Sequence, residues 1–213
     1  HFVLSNNTEL KTVATDSHRM SQKVITLEKN GDNFDVVIPS RSLREFTSVF
    51  SDDIETVEVY FANNQILFRS EHISFYTRLL EGNYPDTDRL IPTEFNTEAT
   101  FNVANLRFAM ERARLLSNAT QNGTVKLEFK NGVVSSHVHS PEVGRVNEEI
   151  DTSAVSGEDL SISFNPTYLI EALKAIDSKQ VVIRFISSVR PFTLVPEGNE
   201  QGFIQLITPV RTN

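Results

Sequence analysis

The sequence contains Phe164-Asn165-Pro166-Thr167-Tyr168-Leu169, and two earlier stretches follow the same pattern: Ile38-Pro39-Ser40-Arg41-Ser42-Leu43 and Phe101-Asn102-Val103-Ala104-Asn105-Leu106. In each copy an apolar residue precedes a helix-start signal, and a Leu stands five positions after that apolar residue. Each copy is followed by an alternating apolar pattern that ends in Phe: Val57/Val59/Phe61, Val125/Leu127/Phe129 and Val181/Ile183/Phe185. A chain that repeats one helix-plus-strand unit is typically an assembled scaffold, so these repeats favour a protein that acts through binding surfaces.

The segments between the repeats predict antiparallel strands and three short helices. Hairpin turns are indicated at Asn30-Gly31-Asp32, Asn63-Asn64 and Asn131-Gly132. The first of these turns is predicted to join strands at Val24–Glu28 and Phe34–Ile38. The helices are predicted after an N-cap at Ser40, around Leu106, and from Pro166, because proline suits the first turn of a helix. The predicted fold class is therefore α+β, with repeated helix-plus-antiparallel-strand units and the helices together on one side of the sheets.

The apolar periodicity stops at a cluster of turn-forming residues, Gly82-Asn83-Tyr84-Pro85-Asp86-Thr87-Asp88. We place a domain boundary there, which predicts one domain at residues 1–88 and a second at residues 89–213. The first residues, His1-Phe2-Val3-Leu4, lack an initiator Met and resemble the interior of a strand. We therefore expect the chain to be part of a longer protein, with the first domain incomplete at its N-terminus.

Composition excludes several classes of protein. The chain has 213 residues, of which 39% are hydrophobic and 23% charged, as in ordinary soluble globular domains. No apolar run approaches the roughly 20 residues of a membrane-spanning helix, so no membrane segment is expected. The sequence has no Cys, which excludes disulfides, thiolate zinc sites and Cys nucleophiles and agrees with a reducing cytosol. The net charge of −8 argues against a protein whose whole surface binds nucleic acid, but it allows a local basic patch.

Some segments are more specific than these general patterns. They are Thr12-Val13-Ala14-Thr15-Asp16-Ser17-His18-Arg19-Met20-Ser21, Glu81-Gly82-Asn83-Tyr84-Pro85-Asp86, Leu115-Leu116-Ser117-Asn118, Phe164-Asn165-Pro166-Thr167-Tyr168 and Gln205-Leu206-Ile207-Thr208-Pro209-Val210-Arg211-Thr212-Asn213. Together they closely resemble the bacterial DNA polymerase III beta subunit, the processivity sliding clamp family. That family typically shows Ala-Thr-Asp-Gly-His-Arg-Leu, a junction of the form Glu-Gly-x-Phe/Tyr-Pro-Asp and a short Pro-x-Arg ending. The resemblance covers the whole chain, with departures at Ser17, where Gly is common, at Met20, where Leu is common, and at Thr208, where some members are more apolar.

The resemblance implies the DNA-clamp fold, with this chain corresponding to most of the second and all of the third of three similar domains. It implies a head-to-tail homodimer that forms a ring, encircles and slides on duplex DNA, and has neither catalytic chemistry nor a cofactor. It also implies that a replicative polymerase, a clamp loader and repair proteins dock short linear peptide motifs between the second and third domains, in the bacterial cytoplasm with the nucleoid. Because the first domain would be missing, we expect this chain to be a monomer.

The resemblance further implies a peptide-binding pocket. An extended peptide with bulky apolar anchors needs an apolar cleft and a few fixed polar groups that set its direction. The pocket residues carried over by motif are Thr15, Ser17, His18, Arg19, Met20, Pro85, Arg89, Leu90, Asn165, Tyr168, Val189, Pro191, Leu206, Thr208, Pro209, Val210 and Arg211. Among them, Arg19, Arg89 and Arg211 would meet polar or carboxylate groups of the ligand. Two buried anchors, less the cost of ordering the peptide, suggest roughly micromolar affinity.

Two further sets of residues follow from the resemblance. Because clamp helices line the central hole of the ring, the residues expected to face DNA are Arg41, Arg44, Arg107, Arg114 and Lys174. Glu111 lies between Arg107 and Arg114 at helical spacing, and such mixed charge suits a ring that slides along phosphates without reading bases. The residues expected at the dimer interface of the full-length protein are Leu115, Leu116, Glu148 and Glu149. For the basic helix residues and for Glu148 and Glu149, the alternative is an ordinary solvent-exposed position.

Two other classes of function compete with a clamp. His137 and His139 share a strand face, while His72 lies elsewhere, so a His-x-His pair could ligate a metal in an enzyme. A third ligand and an activated water have no evident source, so no metal site and no enzymatic activity are predicted. The second alternative is a repeat-built structural or adhesion module without a role on DNA. Capture of a peptide would distinguish a clamp from that module.

Overall fold

The computed structural model describes residues 1–50, 53–117, 123–140 and 144–211. The chain divides into two compact units, of which the first comprises His1–Val13 and Ile25–Asp86 and the second comprises Ala14–Val24 and Thr87–Asn213. The sequence did not indicate that Ala14–Val24 would belong to the second unit. Parts of three predicted features lie outside the described residues, namely Asn118 of the family motif, Val143 at the start of a strand, and Thr212 and Asn213 of the tail. The predicted domain boundary after residue 88 stays a prediction.

The first unit contains two small antiparallel sheets and one helix. One sheet has the strand order β2-β1-β4, formed by β1 (Phe2–Ser5), β2 (Glu9–Thr15) and β4 (Phe34–Val36). The other sheet is a meander of β5 (Glu58–Ala62), β6 (Gln65–Arg69) and β7 (Ser74–Arg78). Helix α1 (Ser40–Val49) connects the two sheets along the chain.

The core of the first unit is small. Its buried members are Ile38, Phe50, Ile66 and Phe68. The Phe46 ring packs 4.4 Å from the Phe50 ring and 4.7 Å from the Phe68 ring, although Phe46 itself is only partly buried. All residues of α1 are described and none of them is buried. The predicted Ser40 cap is wrong, because the helix begins at Ser40 and its N-cap position is Pro39, which provides no side-chain hydrogen bond.

The second unit contains two larger antiparallel sheets. Six of its strands run in the order β12-β8-β14-β15-β16-β3, formed by β3 (Arg19–Thr26), β8 (Thr97–Asn102), β12 (Ala154–Gly157), β14 (Gln180–Phe185), β15 (Phe192–Pro196) and β16 (Phe203–Ile207). The other four run in the order β11-β10-β9-β13, formed by β9 (Val125–Lys130), β10 (Val133–Ser140), β11 (Gly144–Ile150) and β13 (Leu160–Phe164). The helices are α2 (Val103–Ser117) and α3 (Pro166–Lys174), and a 3₁₀ turn spans Asp88–Leu90.

One continuous core fills the second unit. Helices α2 and α3 pack against each other, and their apolar faces share this core with residues of both sheets. The Phe185 ring lies 4.9 Å from the Phe129 ring and 5.2 Å from the Phe192 ring, which links strands of the two sheets. The predicted α+β class with antiparallel sheets is confirmed. In the described part of the chain, no helix is long and apolar enough to cross a bilayer.

The predicted hairpin at Asn30-Gly31-Asp32 is wrong. Strand β4 pairs with β1, and β3 occupies Arg19–Thr26 and pairs from its first residue with β16. Local turn signals predicted the nearest partner along the chain. The pairing is instead made between residues that are far apart in sequence, where burial and packing outweigh local preference.

Candidate peptide-binding site

One end of the six-stranded sheet brings together segments that are distant in sequence. Arg19 pairs with Ile207, Ile207 pairs with Phe192, and Phe185 pairs with Thr97, so these residues mark one end of the sheet. The segments that leave the sheet at this end are residues 16–18, 87–96, 186–191 and 208–211. These segments contain most of the residues that the family resemblance assigns to the pocket.

The turn at residues 16–18 is closed by side chains. Asp16 Oδ1 accepts hydrogen bonds from the backbone N–H groups of His18 at 2.8 Å and Arg19 at 3.0 Å. The backbone N–H of Asp16 and the hydroxyl of Thr15 both donate to the Arg19 carbonyl oxygen, at 3.1 and 2.8 Å. Burial raises the pKa of Asp16, but the hydrogen bonds from His18 and Arg19 lower it more, so the pKa lies below its usual 3.8. The charged Asp16 carboxylate therefore holds the turn that presents Ser17 and His18 to solvent.

Arg19 is fixed between two carboxylates and an aromatic ring. Its Nε donates to Asp16 Oδ2 at 3.0 Å, and its Nη1 forms an ion pair with Glu171 of α3. The central carbon of the guanidinium lies 4.7 Å from the centre of the Tyr168 ring. Burial lowers the pKa of Arg19, but the hydrogen bonds to Glu171 and Asp16 raise it above its usual value. The result is a charged, oriented donor at the surface.

The first turns of α3 carry the residues that face Arg19 and the 16–18 turn. Asn165 caps the helix, because its Oδ1 accepts a hydrogen bond from the Thr167 N–H at 2.9 Å, and Pro166 is the first helical residue. The predicted helix start at Pro166 is thus confirmed. Asn165, Tyr168 and Glu171 are spaced three apart and share one face of the helix. The Tyr168 ring stacks with the His18 ring at 5.8 Å, so this face is directed at the 16–18 turn.

The tail at residues 208–211 passes between that turn and the end of β13. The Thr208 backbone N–H and hydroxyl both donate to the His18 carbonyl oxygen, at 2.9 and 2.8 Å. The Val210 N–H donates to the Ser163 carbonyl oxygen at 2.7 Å. Thr208, Pro209 and Val210 are partly buried as a result. The tail is therefore a fixed wall of the site up to Val210.

The remaining predicted pocket residues differ in exposure. Leu90 and Val189 are large apolar side chains that are 53% and 52% exposed at this end of the sheet. Arg89 and Arg211 are exposed and Pro191 is partly buried. Met20 and Leu206, which pair between β3 and β16, are buried. Pro85 belongs to the first unit and is exposed.

Sequence reasoning missed two residues of this site, Asp16 and Glu171, whose carboxylates accept hydrogen bonds from Arg19. Asp16 stands inside the recognised Thr15–Arg19 motif, and its position before a turn is typical of a side chain that bonds the backbone two residues on. Glu171 is three residues after Tyr168, so helical spacing could have placed it on the same face as Asn165 and Tyr168. Its contact with Arg19 joins positions that are 152 residues apart, and no local pattern encodes it.

The residues predicted to face DNA all lie on helices. Arg41 and Arg44 are exposed on α1 in the first unit, and Arg41 Nε lies 3.1 Å from Glu45 Oε1. In the second unit, Arg107 Nε lies 3.8 Å from Glu111 Oε1, Arg114 is partly buried and Lys174 is exposed at the end of α3. Arg41 and Arg107 each lie beside a glutamate on the same helix, and contact of the five residues with DNA stays a prediction.

The residues predicted at a dimer interface lie on α2 and on β11, an edge strand of the four-stranded sheet. Leu115 is 72% exposed and Leu116 is partly buried. Glu148 forms an ion pair with Arg112, in which Arg112 Nε lies 3.2 Å from Glu148 Oε2, while Glu149 is exposed. A cavity of about 290 Å³ lies between α2 and β11, and Phe108, which is 49% exposed, lines it. Phe108 was missed, although it stands seven positions before Leu115 and so on the same helix face.

The two histidines on β10 are engaged by neighbouring strand residues. His137 Nδ1 lies 2.8 Å from Asn147 Oδ1 and His137 Nε2 lies 2.8 Å from Ser135 Oγ, while His139 Nδ1 accepts a hydrogen bond from Arg145 Nε at 3.2 Å. Within residues 1–50, 53–117, 123–140 and 144–211, no group of three or more His, Cys, Asp or Glu side chains could hold a metal ion. The metal-enzyme alternative gains no support from this arrangement.

Known proteins match both parts of the chain. The family model for the DNA polymerase III beta subunit, central domain, matches residues 1–86, and the model for the C-terminal domain matches residues 88–211. The beta sliding clamp of Streptococcus pneumoniae is 79% identical over 213 residues, which cover 100% of this chain and 56% of that protein. The beta sliding clamp of Lactococcus lactis is 54% identical over 215 residues, which cover 100% of this chain and 57% of that protein.

Solved structures agree with these matches. The crystal structure of the DNA polymerase III beta chain from Streptococcus pneumoniae gives a TM-score of 0.96 at 79% identity, covering 99% of this chain and 56% of that one. The sliding clamp of Bacillus subtilis gives a TM-score of 0.93 at 36% identity, covering 100% of this chain and 56% of that one. The chain thus spans about half the length of the relatives it matches. Because the two family models together match residues 1–86 and 88–211, the chain belongs to the DNA polymerase III beta subunit family.

Proposed function

We propose that this chain is the partner-binding part of a DNA replication processivity clamp, and that it binds short linear peptides at the end of the six-stranded sheet. One observation carries the proposal. The 16–18 turn contacts both the tail and the start of α3 at this end, and the neighbouring segments 87–96 and 186–191, which adjoin strand ends there, expose Leu90 and Val189. Apolar surface beside a few oriented donors is the chemistry that an extended peptide needs.

The polar groups of this site are held before any ligand arrives. Arg19 is fixed by Asp16 and Glu171, and the side-chain oxygen of Asn165 is engaged at the helix cap, so the amide N–H groups are the donors that Asn165 can offer a ligand. Groups that are already ordered lose little conformational entropy on binding. An apolar anchor of the peptide would contact Leu90 or Val189, and these donors would set its direction. Micromolar affinity is the expected scale.

In the whole protein, we propose that two chains close a ring around duplex DNA through the surface formed by α2 and β11. The exposed Leu115, the partly buried Leu116, and the Glu148 and Glu149 side chains suit such an interface, and this chain alone is then a monomer. Basic helix residues interleaved with carboxylates would give weak, salt-dependent contact with phosphates, which permits sliding.

The partners of the whole protein are then a replicative polymerase, a clamp loader and repair proteins, which compete for the peptide site in the bacterial cytoplasm. The protein tethers these enzymes and performs no chemical step itself, so it requires no cofactor and no metal. The 79% identity to a beta sliding clamp over the whole of this chain supports this role.

The test is a fluorescence-polarisation titration of this chain with a labelled Gln-Leu-Ser-Leu-Phe peptide. The wild type is expected to bind saturably with a Kd on the order of micromolar. An Arg19→Ala and Pro209→Gly double variant removes the oriented donor and loosens the tail, so it should bind at least about tenfold more weakly. Arg41→Ala removes the same charge in the first unit and should leave the affinity unchanged.

Folding of every variant is checked by circular dichroism. A folded wild-type chain that fails to bind would contradict the proposal. Equal binding by the wild type and the double variant would point to a peptide surface elsewhere and would favour an unrelated binding module.

A further inference from the structure

We propose that one face of the β5–β7 sheet is a second peptide-binding surface, whose ligand is an acidic segment of a partner protein with a bulky apolar anchor. The surface is formed by Tyr60, Leu67 and Tyr76, here called the tyrosine row, with Arg69 and Arg78 beside it. It belongs to the first unit and shares no residue with the candidate peptide-binding site. The inference therefore goes beyond the proposed function and is tested separately from it.

Strand register places the three members of the tyrosine row side by side. Leu67 of β6 pairs with Tyr60 of β5 and with Tyr76 of β7. Successive strand residues point to opposite faces, and Ile66 and Phe68 are buried in the core of the first unit, so the row lies on the face away from that core. Tyr60 is 44% exposed, Tyr76 is 72% exposed and Leu67 is partly buried. The row is thus an apolar strip, three strands wide, on an exposed face.

The repeat gives the tyrosine row a counterpart in the second unit. Tyr60 precedes the Phe that ends the repeated strand of the first unit, as Arg184 does in the second unit. Arg184 pairs with Thr193, and Thr193 pairs with Leu206. Tyr76 is therefore the counterpart of Leu206, which is 4% exposed and belongs to the predicted pocket. The first unit leaves open, and fills with an aromatic ring, a position that the second unit covers.

Charged side chains beside the row order Tyr60. Glu58 Oε2 accepts hydrogen bonds from the Tyr60 hydroxyl and from Arg69 Nε, both at 3.0 Å. The central carbon of the Arg69 guanidinium lies 5.3 Å from the centre of the Tyr60 ring. Groups that are already ordered lose little conformational entropy on binding. The Tyr60 ring is therefore held in place before a ligand arrives.

The charge of this face favours an acidic ligand. The charged residues of β5, β6 and β7 are Glu58, Arg69 and Arg78, which sum to +1 in a chain whose net charge is −8. Arg69 is two residues from Leu67 and Arg78 is two residues from Tyr76, so both share the face of the row and lie on opposite sides of it. Arg78 is exposed. An apolar anchor on the row with a carboxylate near Arg78 would use both features.

Aromatic rings beside arginines could also stack the bases of single-stranded nucleic acid. Such a strand carries a phosphate at every nucleotide and needs several cations along its path. Arg69 is already paired with Glu58, whose carboxylate would repel phosphates. Glu71 and Glu81, near the ends of this sheet, add exposed negative charge. The surface therefore favours a peptide with few carboxylates over a strand of phosphates.

The test is an amide NMR titration of the isotope-labelled chain with the peptide Ser-Asp-Phe-Asp-Ser, acetylated and amidated. Shifts are expected to concentrate in β5, β6 and β7, with a Kd on the order of 100 micromolar because a single anchor is bound. Ser-Asp-Ala-Asp-Ser lacks the anchor and Ser-Asn-Phe-Asn-Ser lacks the charge, and each should bind at least about threefold more weakly. Higher ionic strength should weaken binding of the acidic peptide.

Two variants and two matched controls locate the contact. Tyr76→Ala should weaken binding by at least about fivefold, and its high exposure makes the fold tolerant of the change. Arg78→Gln should weaken binding of the acidic peptide by about threefold and leave binding of the neutral peptide unchanged. Val133→Ala and Lys130→Gln alter an exposed apolar and an exposed basic residue of the second unit and should leave the affinity unchanged.

Several outcomes would overturn the inference. These are no saturable binding, equal affinity for the peptides with Phe and with Ala, and unchanged affinity in folded Tyr76→Ala. Shifts confined to the 16–18 turn and α3 would instead assign the acidic peptide to the candidate site. Tighter binding of a ten-thymidine oligonucleotide at the tyrosine row would replace the peptide by nucleic acid. Shifts of the row that grow with protein concentration, without peptide, would assign the surface to a second copy of the chain.

The same spectra keep the two sites apart. Gln-Leu-Ser-Leu-Phe is expected to shift residues of the candidate site, whereas the acidic peptide shifts those of the tyrosine row. Prior saturation with Gln-Leu-Ser-Leu-Phe should leave the affinity for the acidic peptide unchanged. Failure of either peptide to bind therefore refutes its own site and leaves the other standing.

Discussion

The strand that follows each copy of the repeat is covered in the second unit and exposed in the first. In the second unit the alternating residues of β9 and β14 are at most 2% exposed: Val125, Leu127, Phe129, Val181, Ile183 and Phe185. In the first unit, Val59 and Phe61 of β5 are 42% and 41% exposed. The three strands share one apolar pattern, so the pattern predicts a strand but does not determine whether its apolar face is covered.

The helices of the repeat differ in the same way. Helices α2 and α3 pack against each other and each buries several residues, among them Leu106 and Leu169. Helix α1 buries none of its residues, and Leu43 and Phe46 are only partly covered by the small core of the first unit. Two repeats that pack face to face therefore bury the apolar helix side chains that a single repeat leaves half-exposed. The second unit consequently gains more free energy from hydrophobic burial.

The largest expected effect comes from truncating the Phe that ends the repeat strand in each unit. Phe185 is fully buried between the Phe129 and Phe192 rings, so Phe185→Ala should lower the free energy of unfolding of the second unit by about 3–5 kcal/mol. Phe61→Ala, at the equivalent position, should cost no more than about 1 kcal/mol because its ring contacts Phe34 but remains 41% exposed.

Urea unfolding read by pulsed hydrogen exchange measures both changes, since exchange is assigned to peptides from each unit. Phe185→Leu provides a control in which most of the apolar volume is kept, and it should cost clearly less than Phe185→Ala. Equal destabilisation by Phe61→Ala and Phe185→Ala would show that the covered and exposed strands do not differ energetically.

Much of the fold was predictable because the type of each element depends on local pattern. Period-two alternation identified β9 and β14, and Pro166 identified the start of α3. The excursion of Ala14–Val24 into the second unit was not predictable in this way. It depends on the pairing of Arg19 with Ile207, and strand pairing between distant segments leaves no signature in either segment alone.

The candidate site shows the same limit. Motifs identified Arg19 and Tyr168, but not that the guanidinium lies over the Tyr168 ring or that Glu171 holds it there. A motif gives residue types at fixed spacing, whereas the charge state and orientation of a side chain depend on neighbours brought in by the tertiary fold. The contact between Thr208 and the His18 carbonyl oxygen is another case, since it joins the tail to a turn 190 residues earlier.

A smaller effect is expected at the helix starts, which also differ between the units. Asn165→Ala removes the acceptor of the Thr167 N–H and should destabilise the second unit by about 1 kcal/mol. Ser40→Ala should change the stability of the first unit by less than about 0.5 kcal/mol, because Ser40 makes no cap hydrogen bond and Ala favours the helix. Asn165→Asp, which retains a capping oxygen, should recover the loss in the same urea measurement. A loss from Ser40→Ala as large as that from Asn165→Ala would contradict the difference between the two caps.

The smallest expected effect concerns two turns that are closed differently, one by a charged side chain and one by the backbone. In the second unit the Asp16 carboxylate closes residues 16–18, whereas in the first unit Asn63 turns between β5 and β6 in the left-handed conformation, with φ at 52°. Because the pKa of folded Asp16 is below its usual 3.8, its stabilisation is fully present above that value and is lost as the pH falls through the lowered pKa. Asp16→Asn should therefore cost less than about 1 kcal/mol at pH 7, given that the carboxylate is half-exposed, and nearly nothing near pH 2.

Asn63→Ala makes a backbone change without a titrating group, so its cost should be the same at both pH values. Urea unfolding of the three proteins at a series of pH values makes the comparison, and a pH-independent cost of Asp16→Asn would show that geometry alone, without the charge of the carboxylate, closes the 16–18 turn.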